Sequence, residues 1–122
     1  MLRRRVAAFG YAWEGIRYAT RTQTNWRIHL VVAAAVVVLA ALLRVQPVEL
    51  AVLALTIGFV LALESVNTAV ESAIDAVGGP PSFAAKCAKD CAAAAVLIGA
   101  ITAVVVGTII FGPRILAVAG VS

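Results

Sequence analysis

Glu64, Asn67, Glu71 and Asp75 recur at helical spacing in the segment Glu64-Ser65-Val66-Asn67-Thr68-Ala69-Val70-Glu71-Ser72-Ala73-Ile74-Asp75. At about 100° per residue they fall within a stripe of roughly 80° on one helix face. Three acids and an amide sit directly after a long apolar run. Ionisable groups beside a membrane helix are costly unless something uses them, so this stripe is the first place to look for chemistry. One carboxylate can accept the proton of an attacking hydroxyl. Another can hold magnesium on nucleotide phosphates. A lysine, here Lys89 followed by Asp90, can neutralise phosphate charge. Phosphoryl transfer therefore fits the set. A salt-bridge network at the interface, or a proton or cation pathway in a small transporter, fits the spacing as well. Neither a Walker A motif nor a protein-kinase signature is present, and Gly78-Gly79-Pro80-Pro81 lacks the Gly-Lys-Ser/Thr ending of a phosphate loop.

The elements that must carry this stripe read as membrane helices. The chain has 122 residues, 63% hydrophobic and 13% charged, and that charged share is about half the usual one. A soluble domain of this size could not hide so much apolar surface. The first span is expected over 28–43 and a second helix over 48–77, whose outer part spans and whose end carries the stripe out of the membrane. Gly78-Gly79-Pro80-Pro81 stops it. A third helix is expected over 83–111, with Lys86, Lys89 and Asp90 ahead of an apolar run from Cys91. Gly112-Pro113-Arg114 is expected to interrupt it, leaving 112–122 as a tail. Residues 1–26 hold no span. Val6, Phe9, Trp13 and Ile16 at helical spacing, among Arg3, Arg4, Glu14, Arg17 and Arg21, predict an amphipathic helix on the membrane surface, with Trp13 and Tyr18 at the interface. The charges inside this stretch exclude the apolar core of a cleaved signal peptide. The fold expected is all-α and integral to the membrane, a single domain over 1–122.

Charge orients it. The net charge is +4 and the pI near 9.7. No base-reading motif accompanies the positives, which flank apolar segments, so the anionic membrane surface and not nucleic acid is the expected partner. With the N-terminus inside, Arg3, Arg4, Arg5, Arg17, Arg21, Arg27, Lys86 and Lys89 are cytoplasmic, and Arg44 and Arg114 are outside. Every acid but Glu49 then lies on the inner side, where ATP and magnesium are available. Cys87 and Cys91 share a helix face and read as small packing residues, since a zinc site needs more ligands.

Glu64-Ser65-Val66-Asn67-Thr68-Ala69-Val70-Glu71, then Asp75, then Ala88-Lys89-Asp90 and Ala94-Ala95-Val96-Leu97, resembles the signature of the prokaryotic diacylglycerol kinase and undecaprenol kinase family. Gly10-Tyr11-Ala12-Trp13-Glu14-Gly15-Ile16-Arg17 is similar to that family too, and Asn25-Trp26-Arg27-Ile28-His29 resembles its undecaprenol branch. The resemblance implies a homotrimeric lipid kinase of the bacterial cytoplasmic membrane. Such an enzyme uses MgATP to phosphorylate a lipid alcohol, undecaprenol or diacylglycerol, at sites between subunits. It implies Glu64 as general base with Asn67 orienting the reacting groups, Glu71 as metal ligand, Lys89, Asp90 and Tyr11 at the nucleotide, and Asp75 in support. Where the family carries a second metal-binding glutamate this chain has Gln23, whose amide oxygen can ligate magnesium but brings no charge. The competing class is a non-enzymatic small membrane protein, a holin-like or transporter subunit; Lys89-Asp90 at the start of the third helix argues against a pore.

Overall fold

The computed structural model describes residues 2–80 and 82–120, and side chains from residue 7 onward. Arg3, Arg4, Arg5 and Val6 of the surface-helix pattern therefore have backbone only, and Pro81 of the helix stop lies outside the described residues. Four helices follow one another: α1 (Leu2–Thr22), α2 (Thr24–Leu42), α3 (Pro47–Val77) and α4 (Phe83–Val118). The last three are long and apolar enough to cross a membrane.

Length explains how the stripe leaves the hydrocarbon. α2 has 19 residues, about 28 Å at a rise of about 1.5 Å, close to the about 30 Å of a bilayer core. α3 has 31 residues, so roughly ten of them extend past that core. Counted from Pro47, these begin near Asn67 and carry Glu71 and Asp75, with Glu64 about one turn inside the core.

Local signals set the boundaries. Gln46 N–H donates to Glu49 Oε2 at 2.8 Å, and the Gln46 side chain caps in return, with Pro47 opening the helix. Gly78 and Gly79 at φ of 67° and 95° end α3 in a backbone conformation that side chains resist. Ser82 then caps α4, its hydroxyl accepting from Ala85 N–H at 3.1 Å. α1 and α2 part at the single residue Gln23, in extended conformation. So α2 begins at Thr24, four residues before the expected start. Trp26 is buried here and donates through Nε1 to Thr20 Oγ1 at 2.9 Å, fastening the two helices.

The expected interruption at Gly112-Pro113-Arg114 does not occur: α4 continues to Val118 with Pro113 inside it. Proline removes one backbone donor there. Arg114 fastens the helix just beyond it. Its Nη1 donates to the Ile110 carbonyl at 2.8 Å, and its two nitrogens reach Glu49 Oε1 and Oε2 at 2.9 and 2.6 Å. Ile110 and Phe111 bury themselves with Ala40 and Leu53 just before the proline. Tertiary contact thus holds the helix across a residue that would break it in isolation.

The core is small. Beyond that cluster, Gly99 of α4 lets α3 approach so closely that a Cβ there would lie 2.7 Å from Leu63 Cδ1. Most large apolar side chains face outward, such as Val31, Leu55, Val104 and Ile109, each 69–75% exposed. Such surface suits lipid or other helices. Between α2, α3 and α4 an apolar groove of about 730 Å³ runs from His29 at one end to Ile115 at the other, walled by Val32, Leu53, Val104 and Phe111.

Candidate active site

The polar stripe of α3 is folded inward at its start and opens to solvent at its end. Glu64 is 2% exposed, and Asn67 and Thr68 are buried beside it. Glu71 is half-buried and Asp75 exposed. Asn67 Nδ2 donates to Glu71 Oε1 at 3.2 Å, one turn apart on the same face. Glu64 Oε2, Asn67 Oδ1 and Thr68 Oγ1 have no hydrogen-bond partner within the described chain. Buried polar atoms are nearly always satisfied, so three together mark a surface built to meet something else. The nearest group of opposite potential charge is His29, whose Nε2 lies 4.0 Å from Glu64 Oε2 across the α2–α3 contact.

α4 contributes the cations. Lys89 Nζ donates to Asp75 Oδ1 at 2.5 Å. This bond ties the start of α4 to the end of α3 across the Gly78–Ser82 loop and brings the lysine to the solvent end of the stripe. Asp90 is engaged otherwise: Lys86, one turn before it, holds its carboxylate in an ion pair on the exposed face. The four-residue offset from Lys86 to Asp90 carries the sequence signal for such a pair.

The structure therefore brings together Glu64, Asn67, Glu71, Asp75 and Lys89. It does not bond Tyr11 or Gln23 to them. Tyr11 is 71% exposed on α1. Gln23 sits at the α1–α2 junction, its amide nitrogen donating to Thr22 Oγ1 at 3.3 Å. Two residues of the site carried no assigned role in the sequence reading: Thr68, which the helical period places beside Glu64, and His29, which closes the Asn25–His29 stretch.

Among the described residues no three His, Cys, Asp or Glu side chains converge as a metal cage. Magnesium is usually held by one or two carboxylates with phosphate and water completing the shell. Glu71 fits such a role: it is a hard-oxygen donor, half-buried at the solvent end, with Oε1 fixed by Asn67.

The arrangement is a buried carboxylate beside His29, which lines one end of an apolar groove, followed along α3 by an amide, a second carboxylate and a lysine–aspartate pair at the solvent end.

Comparison with known proteins bears on that arrangement. The sequence model of the family described as prokaryotic diacylglycerol kinase matches residues 10–111. A diacylglycerol kinase of Synechocystis is 48% identical over 112 residues, which cover 91% of this chain and 64% of that protein. An undecaprenol kinase of Bacillus subtilis is 34% identical over 114 residues, 93% of either chain. A diacylglycerol kinase of Escherichia coli K12 is 33% identical over 100 residues, 82% of either chain. The match thus spans somewhat under two thirds of the Synechocystis protein and most of the other two.

Proposed function

The chain belongs to the prokaryotic diacylglycerol kinase family, and from that premise we propose that it is an ATP-dependent lipid kinase of the bacterial cytoplasmic membrane, acting on the primary hydroxyl of undecaprenol or diacylglycerol. The observation that carries this reading is the burial of Glu64 at the α2–α3 contact beside His29, which itself closes one end of the apolar groove. A long apolar chain can lie along such a groove and bring its alcohol to the carboxylate.

In this reading Glu64 accepts the proton as the lipid oxygen attacks the γ-phosphorus of ATP. The new oxygen–phosphorus bond forms, the bond from the γ-phosphorus to the β,γ-bridging oxygen breaks, and ADP leaves. Asn67, whose Nδ2 holds Glu71, keeps its carbonyl oxygen free to orient the attacking hydroxyl. Lys89, positioned by Asp75, supplies positive charge to the phosphates from the water side. Glu71, with Gln23 as a weaker candidate, is the ligand for a magnesium ion, which when bound would offset phosphate charge. Tyr11 and Asp90 are assigned to the nucleotide by resemblance to the family. Assembly as a homotrimer is part of the proposal. Its support is the wide exposed apolar surface. α1, bearing exposed Phe9, Trp13 and Tyr18 among its arginines, is proposed to lie on the inner membrane surface.

The test is transfer of labelled γ-phosphate from ATP to lipid in mixed micelles, with undecaprenol and diacylglycerol offered singly and in competition. Label in the lipid phase supports the kinase, and the preferred acceptor names the substrate. Hydrolysis without lipid labelling, or no turnover of ATP, overturns it.

A further inference from the structure

We propose that His29, in its imidazolium form, is the counter-charge of Glu64 and so a positioning residue for the base. The inference rests on the kinase reading for the role of Glu64 and extends it to a residue on a different helix.

The need for such a partner follows from burial. A carboxylate that is 2% exposed, with Oε2 unbonded, is strongly disfavoured unless a cation faces it. Among the described side chains, the helices offer few groups that could do so. Along α3 itself the next ionisable residue is Glu71, which repels. On α4, Lys86 is paired with Asp90 and Lys89 with Asp75. On α1, Glu14, Arg17 and Arg21 are exposed. On α2, Arg27 donates to Thr24 Oγ1 at 3.2 Å and is exposed. That leaves His29, with Nε2 4.0 Å from Glu64 Oε2 and a side chain only 20% exposed. The Glu64 Oε2 is thereby held on the side facing α2.

The test compares His29→Gln, His29→Lys and His29→Gln/Glu64→Gln with the parent in mixed micelles. In His29→Gln kcat falls about tenfold or more while KM for ATP and for lipid stays within about twofold, because the loss is at the base and not in binding. His29→Lys, which keeps a cation, recovers most of that rate. The unfolding temperature falls in His29→Gln and returns toward the parent value in the double variant, where no buried carboxylate is left uncompensated. A His29→Gln protein with parental kcat overturns the proposal. So does His29→Lys as slow as His29→Gln, or a double variant less stable than His29→Gln. If the parent itself labels no lipid, the kinase reading falls, while the stability cycle still decides whether the two residues pair.

Discussion

Arg114, one residue past the proline of α4, grips Glu49 in the first turn of α3 with both terminal nitrogens, at 2.9 and 2.6 Å. The same carboxylate caps α3 by accepting from Gln46 N–H. One acid thus starts one helix and fastens the end of another. The fork geometry is the one in which an arginine–carboxylate pair is strongest. Arg114→Met is expected to lower the unfolding temperature in detergent and to loosen α4 after Gly112, read as faster amide exchange at 114–118. Because the two residues act as a unit, Glu49→Gln combined with Arg114→Met should cost less than the two single losses added. Additive losses would mean that the pair contributes nothing beyond its separate contacts.

Topology follows from the positive charges. The N-terminus and the Gly78–Lys89 loop are expected inside and the C-terminus outside. Of single cysteines placed near either end, in a background with Cys87 and Cys91 changed to serine, only the C-terminal one should react with an impermeant reagent in intact cells, the N-terminal one reacting once the membrane is opened. Labelling of both from one side would refute three crossings.

Glu64→Gln removes the proton acceptor but keeps its shape. It is expected to lower kcat by about two orders of magnitude or more, with nucleotide binding much less affected. Asn67→Ala should also slow turnover. Near-parental turnover in Glu64→Gln would remove this residue from the mechanism.

Magnesium dependence separates the two candidate ligands. A carboxylate attracts a divalent ion more strongly than an amide does. Gln23→Glu should therefore move half-maximal activity to lower magnesium, and Glu71→Gln should raise the requirement or abolish activity. A titration at fixed ATP reads both. If only Glu71→Gln shifts it, residue 23 does not face the ion. If neither does, the metal site lies elsewhere.

The sequence by itself determined what depends on near neighbours along the chain. Helical periodicity put Glu64, Asn67, Glu71 and Asp75 on one face, as the helix α3 has them. Glycines 78 and 79 carry the positive φ that ends this helix, and the apolar runs correspond to three helices able to cross a membrane. These are local properties, since backbone preference and the period of a pattern need no distant partner. Tertiary structure decided the rest. It carried α4 through Pro113, because Glu49, far back in the sequence, holds Arg114. It engaged Asp90 with Lys86 and turned Lys89 toward Asp75. It also set His29 of α2 against Glu64 of α3. Which faces of two apolar helices meet is fixed by close packing, such as the seating of Leu63 against Gly99. Interchangeable Val, Leu and Ala side chains do not encode that choice until the helices are brought together.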